Sequence, residues 1–213
     1  MKRILIFGAS GFLGQEIVKQ LLADQHEITA VTRSFDANQP DKFNPQVKWV
    51  EADLFAPDQW QEHLNQVDTV INLVGLFQEN LEKGYTYQHI IVEAAQTIAE
   101  TVGKYRPTAR LIFVSANLNT TATPEPYRHA KSQGEAASRQ AVQDTVIIRP
   151  TMMYGESRPE TVEQAQQILG RIQPDSKAWN NRPIEVHKVA KTIAEIASQD
   201  DPLRTYEIND MDQ

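Results

Sequence analysis

Ile4-Leu-Ile-Phe7-Gly8-Ala-Ser10-Gly11-Phe12-Leu13-Gly14 opens the chain, an apolar run that breaks into three spaced glycines and then into a helical pattern. Phe12, Leu13, Ile17, Val18, Leu21 and Leu22 recur at helical spacing and make one buried face. Strand, glycine turn and helix in that order bring bare backbone up to a pyrophosphate, whose charge the helix N-terminus stabilises. The spacing is G-x-x-G-x-x-G and departs from the strict G-x-G-x-x-G fingerprint, so the flanking strand and helix carry the reading. A dinucleotide is the expected ligand.

Outward from this turn, short apolar runs alternate with helical patterns. Strands are expected at 28–32, 47–50, 69–74, 110–115 and 145–149, and helices at 60–64, about 87–105 and 131–142. Strands that are nearly continuous in apolar residues and separated by helices imply an α/β fold, with a parallel sheet covered on both faces. Right-handed crossovers make that sheet doubly wound, with its ligand crevice beyond the strand C-terminal ends. The run 36–45 reads as a surface loop. After residue 150 the pattern loosens into a short helix at 163–169, a loop at 174–183, a helix at 187–197 and a last strand at 204–208. The expected organisation is one nucleotide-binding domain over 1–213, in which 151–213 contributes a reduced substrate lobe.

A chain of 213 residues buries one good core. Its 21 Lys and Arg stand against 28 Asp and Glu, a net charge of −7 with no long basic run, which argues against a nucleic-acid partner. Cysteine is absent, removing disulfides, thiolate metal sites and a cysteine nucleophile together. Met1-Lys-Arg leads straight into a strand-length run unlike a signal peptide, and no apolar stretch approaches the ~20 residues of a membrane helix. The expected setting is cytoplasmic. His63, His89 and His129 show no metal-ligand spacing and read as surface or core histidines, with no metal site expected. His187 opens a helix near the crevice as a cap-region or substrate-touching side chain, and Trp49, Trp60 and Trp179 read as packing residues.

The strand ends carry the cofactor argument. An acid ending the second strand accepts bonds from the ribose hydroxyls of NAD. Here the segment is Ala30-Val-Thr-Arg33-Ser34, with no acid at Thr32, and Arg33 with Ser34 is suited to a 2′-phosphate by charge-assisted bonds, or else Arg33 is an ordinary solvated cation. NADP(H) is therefore favoured over NAD(H). Asp53 and Leu54 end the third strand, where a short acid reaches the adenine amino group and an apolar side chain meets its ring. Leu73, Val74 and Gly75 end the fourth, where a residue without Cβ lets backbone pass close to the cofactor. Each of these also reads as a plain strand-ending turn.

Tyr127-Arg-His-Ala-Lys131 puts a phenol and an ammonium one turn apart at the start of a helix, with His129 facing away. A nearby ammonium favours phenolate, so the pair is expected to lower the tyrosine pKa toward the range useful for proton transfer to a carbonyl or alcohol.

With the Gly8/Gly11/Gly14 turn, Asp53-Leu54, Tyr127 with Lys131, the segment from Arg149-Pro150 to Tyr154-Gly155 and the helix start Val186-His-Lys-Val-Ala190, the chain resembles an extended or atypical short-chain dehydrogenase/reductase of the NAD-dependent epimerase/dehydratase group. The resemblance spans almost the whole length and implies a Rossmann-type fold. It implies that Tyr127 is the acid/base, that Lys131 also binds the nicotinamide ribose, and that Pro150 lies near the nicotinamide. Within the group, 70–75 and 115–131 are most similar to the nucleotide-binding accessory subunit of respiratory complex I and its bacterial relatives, a subunit regarded as holding NADPH for structure.

Two departures from the family pattern matter. The usual Ser or Thr just past the fifth strand falls on Ala116, with Ser115 one residue earlier as the nearest hydroxyl and Thr120, Thr121 or Asn117 as replacements from the loop. The C-terminal lobe is also short. Two functions follow: an NADP(H)-dependent oxidoreductase of a small carbonyl or alcohol, using Tyr127, Lys131 and Ser115, or a non-catalytic NADP(H)-binding module acting through a protein partner. Pairing of two copies through helices such as 87–105 is common in the class. The substrate is not fixed by these residues.

Overall fold

The protein is described by a computed structural model over residues 1–36, 38–39 and 42–213. Strand β1 (Arg3–Phe7) sits inside the sheet, and its side chains alternate between two cores. Ile4 and Ile6 join one hydrophobic cluster, Leu5 and Phe7 the other. Both faces of the strand are buried, which is why its sequence is apolar throughout instead of alternating.

The chain continues through α1 (Phe12–Ala23), β2 (Glu27–Thr32), β3 (Lys48–Glu51), β4 (Thr69–Asn72), α2 (Ala94–Tyr105), β5 (Arg110–Val114), α3 (Glu125–Ala141) and β6 (Thr145–Ile148). Then come β7 (Met153–Tyr154), α4 (Pro159–Leu169), β8 (Ile184–Glu185), α5 (Val186–Ser198), β9 (Thr205–Tyr206) and α6 (Ile208–Met211). Among the described residues the main sheet runs β3-β2-β1-β4-β5-β6-β9, every pair parallel, and β7 pairs with β8 in a separate ribbon. The order of the first six strands is that of a Rossmann fold, and it reverses between β1 and β4, the position where a crevice opens.

Helices α1 and α5 cover one face, with Ile17, Leu21, Val189 and Ile193 in its core. On the other face α2 packs through Ile98 and Val102 with the buried Trp60 and Leu64, and α3 lies beside α2. Helix α5 is fastened at its end by Arg110, a buried cation that donates to the carbonyls of Ile196 (2.7 Å) and Gln199 (2.5 Å) and pairs with Asp144. A cation there also complements the helix dipole.

The expected strands are all present, and several boundaries differ. Helix α3 begins at Glu125, ahead of the expected 131, with Pro126 within the first turn where its missing N–H is harmless. The expected 87–105 helix is two pieces: a π-helical stretch, Gln88–Glu93, and then α2. The 60–64 helix is a 3-10 turn, and Lys177–Asn181 forms another inside the expected 174–183 loop. Of the expected 36–45 loop, Ala37, Pro40 and Asp41 lie outside the described residues. Among the described residues no helix is long and apolar enough to cross a membrane.

Helix α1 lies unusually close to the chain that precedes it. A Cβ on Gly14 would sit 2.3 Å from the Gly8 carbonyl oxygen and 2.6 Å from that of Ala9. Substituting Gly14→Ala must therefore push α1 off the end of β1. Unfolding in urea is expected to show a loss of about 1–3 kcal/mol, as overpacked sites do. An unchanged midpoint and slope would contradict that close packing.

Candidate functional site

All strands of the main sheet point the same way, so their C-terminal ends meet at one edge, where a cleft of about 760 Å³ opens. That volume is within the range of sites that enclose a cofactor-sized molecule. Gly8, Ser10 and Gly11 line it from the first turn, Arg33 and Ser34 from the end of β2, Asp53 and Leu54 from beyond β3, and Leu73, Val74 and Gly75 from the end of β4. Phe12, Leu13 and Gly14 form the first turn of α1 and are not among its lining residues.

The glycine turn is built to leave backbone donors open. Gly8 has φ +88°, a left-handed conformation that a residue with Cβ adopts only with strain, and its carbonyl accepts from the Gly11 amide at 3.1 Å. Helix α1 then starts with no side-chain cap on Gly11 and no acid in its first turn. The first amides of a helix lack intrahelical partners, and an anion is their natural partner when no side chain supplies one. Uncapped amides, a chain without Cβ bulk and a cleft of this size together fit a dinucleotide.

At one end of the cleft, the Arg33 guanidinium donates to the Tyr85 hydroxyl at 3.1 Å and lies 5.4 Å from the centre of its ring. Thr32 Oγ1 donates to the Ser34 carbonyl at 2.9 Å, shaping the strand end. Asp53 accepts from the Phe55 amide at 3.0 Å, so the acid is held in its own turn. Lys42 adds a second cation to the lining. His89, read from sequence as an ordinary histidine, is in fact a lining residue. Its ring stacks on Phe55 with centres 4.1 Å apart and pairs with Glu93 at 2.7 Å. Tyr85 and His89 had no sequence signal, because they reach the cleft through the segment after β4 and the π-helical turn.

Toward the other end, Gly75 approaches Lys131: a Cβ on Gly75 would meet the Lys131 Nζ at 3.1 Å. That Nζ donates to the Val114 carbonyl at 2.8 Å and lies 6.0 Å from the centre of the Tyr127 ring. Tyr127 packs edge-on against Phe77 (5.4 Å) and Tyr87 (5.7 Å), and the Tyr87 hydroxyl donates to the Phe77 carbonyl. Burial pushes the Tyr127 phenol up to about 12, with Tyr87 adding to the rise. Burial also pulls Lys131 down to about 8, against the opposing charge of Glu135. The expected lowering of the tyrosine pKa is thus corrected: aromatic rings desolvate the phenol, and the ammonium is bonded to a main-chain carbonyl.

Ser115 is buried, and its hydroxyl donates to Glu135 at 2.6 Å. Glu135 also takes two bonds from Arg149 (2.9 and 2.6 Å), and Arg149 reaches on to Glu207. The serine proton is thereby committed to an ion-pair cluster that joins α3 to the end of β6 and the start of α6. Among the loop replacements, Asn117 donates to Asn181 at 2.6 Å, Thr120 Oγ1 accepts from the Ala122 amide, and Thr121 is exposed. Pro150 is buried beside them, its carbonyl accepting from the Asn117 amide.

Comparison with known proteins agrees with this geometry. The NAD dependent epimerase/dehydratase family matches residues 4–174. MIOREX complex component 2 of Saccharomyces cerevisiae is 28% identical over 130 residues, which cover 59% of this chain and 43% of that protein. The mitochondrial NADH-ubiquinone oxidoreductase 40 kDa subunit of Neurospora crassa is 28% identical over 160 residues, 70% of this chain and 40% of that protein. The chain thus spans about two fifths of the length of these curated relatives. A solved structure, ElxO with NADP bound, superposes with a TM-score of 0.70 at 15% identity over 100% of both chains, a likeness of fold. The uncapped glycine turn, the strand order and the matched residues converge: the chain belongs to the NAD dependent epimerase/dehydratase family.

Proposed function

We propose that this NAD(P)-binding protein is an NADP(H)-dependent oxidoreductase that interconverts a small carbonyl and its alcohol. The observation that carries the reading is the placement of Tyr127 and Lys131, one turn apart on α3, with Lys131 against Gly75 at the end of the cofactor cleft. The glycine turn and α1 hold the pyrophosphate, Arg33 and Ser34 the 2′-phosphate, Asp53 and Leu54 the adenine, and Lys131 the nicotinamide ribose, with Leu73, Val74, Gly75 and Pro150 alongside. Residues 151–213 contribute a reduced substrate lobe, and the setting is cytoplasmic.

When bound, NADPH supplies a hydride to the carbonyl carbon. Tyr127 donates its phenol proton to the carbonyl oxygen as the C=O π bond breaks, giving the alcohol, and recovers a proton from solvent. A phenol whose pKa is about 12 keeps that proton at neutral pH, so the donor form is the one present. Lys131 orients the site and keeps positive charge near the developing oxyanion.

A second reading is supported by Ala116 and by the engagement of Ser115 with Glu135: the same cleft holds NADP(H) without turnover, and the protein acts within an assembly. Two relatives are by name components of complexes, which is the supporting comparison for that alternative. Oxidation of NADPH by purified protein across a panel of small aldehydes and ketones separates the two, since the second reading expects none.

Three outcomes test the residue roles. Calorimetry is expected to show NADPH binding about tenfold or more tighter than NADH, with Arg33→Ala erasing the difference; equal affinities in the wild type would remove the role given to Arg33. Tyr127→Phe is expected to lower kcat by about 10²–10⁴-fold with cofactor affinity nearly intact, and full residual turnover would end its acid role. Lys131 loses its proton near pH 8 in the folded protein but near 10.5 when unfolded. Between those values the unfolded state binds more protons, so this residue makes stability rise with pH, on the order of 1 kcal/mol per pH unit. Denaturation of Lys131→Met across pH 8–10 should lack that rise, and parallel curves for the two proteins would show that Lys131 is not buried as described.

A further inference from the structure

Cations are unevenly spread along the cleft. Arg33 and Lys42 line it and Lys131 lies against Gly75, yet the first turn of α1, which on the reading above meets the pyrophosphate, carries no cation of its own. The chain returns to that point much later. The turn from Gly155 to Arg158, directly after β7, closes on itself: the Arg158 amide donates to the Gly155 carbonyl at 2.9 Å and the Thr161 amide to the Arg158 carbonyl at 2.9 Å. The Gly155 amide in turn donates to Thr161 Oγ1 at 3.2 Å.

This turn is seated on the first residue of α1. A Cβ on Gly155 would lie 2.7 Å from Val186 Cγ1, too close for a side chain, and 3.5 Å from the Phe12 ring, in ordinary contact, so the turn packs against both neighbours. Across the same ring, the Arg158 guanidinium lies 4.7 Å from the centre of Phe12. Among the described residues no carboxylate pairs with Arg158, and its side-chain N–H groups make no hydrogen bond. An aromatic face holds a guanidinium by its plane and leaves the N–H fork at its rim free for a planar or tetrahedral anion.

We propose that Arg158 is a cofactor-binding residue, a cation that the C-terminal segment lays over the start of α1 to engage the pyrophosphate. Phe12 serves as the platform that carries it there. The first turn of α1 supplies backbone amides and the exposed Arg158 supplies formal charge beside them, so the anion is held by two elements far apart in sequence. Binding of the dinucleotide thereby also ties the C-terminal segment to the sheet edge.

The test uses the intact protein and ligands that differ in one group. Arg158→Met keeps the apolar stem on Phe12 and removes the charge. Isothermal titration is expected to show NADPH and ADP-ribose, both carrying a pyrophosphate, binding about five- to tenfold more weakly to the variant, with a shallower dependence on salt. Adenosine 2′-monophosphate, which lacks the pyrophosphate, should bind both proteins equally, and Arg158→Lys should recover part of the loss. Unchanged affinity of the variant for ADP-ribose would overturn the proposal, as would an equal loss for adenosine 2′-monophosphate. Because ADP-ribose carries no 2′-phosphate and no nicotinamide, neither a failed NADP preference nor absent turnover bears on this outcome.

Discussion

The close packing of α1 against the end of β1 is the constraint on which the rest of the structure depends. With no side chain on Gly14, the helix comes within contact of the Gly8 and Ala9 carbonyls, and its N-cap residue Gly11 lines the cleft. A helix held farther away would bury its first amides less favourably for an anion. The left-handed Gly8 turn completes the arrangement, because it reverses the chain within a few residues and leaves main chain facing outward. These glycines are therefore a packing requirement first.

Parallel pairing then gathers every strand end at the same edge, which is how residues as distant as Arg33, Asp53 and Gly75 come to share one cleft, with Lys131 of α3 against Gly75. The surroundings of Tyr127 and Lys131 are drier than those of Arg33. Tyr127 is enclosed by Phe77 and Tyr87, Lys131 is buried against Val114, and the Glu135–Arg149 pair sits beneath them. Buried ion pairs are weak sources of stability, since desolvation offsets their attraction, but losing one partner leaves a charge stranded. The cluster of Ser115, Glu135, Arg149 and Glu207 therefore acts as a geometric lock between α3, the end of β6 and the C-terminal residues.

Much of this was legible in the sequence, for identifiable reasons. The strands could be read because both faces are covered, which makes Ile4 to Phe7 and Arg110 to Val114 apolar runs nearly throughout. The cleft-lining residues of the glycine turn and the strand ends could be read because glycines and strand ends announce themselves locally. What was missed depends on contacts between distant segments. Tyr85 reaches Arg33 across the cleft, and His89 enters it through a π-helical turn that no residue pattern marks. The phenol pKa was read in the wrong direction because helical spacing reveals that Lys131 is near, but not that Val114 takes its proton bond while aromatic rings strip water from Tyr127. The seat of Arg158 on Phe12 likewise joins residues that only the folded chain brings together.

The central claim is that the open amides at the start of α1 grip the linked phosphates of a dinucleotide. Backbone amide resonances followed by NMR during an NADPH titration test it most directly. Phe12, Leu13 and Gly14 should show the largest and saturable changes, centred on the start of α1. If those resonances stay fixed at saturating NADPH, whatever happens elsewhere in the spectrum, the turn does not hold the cofactor.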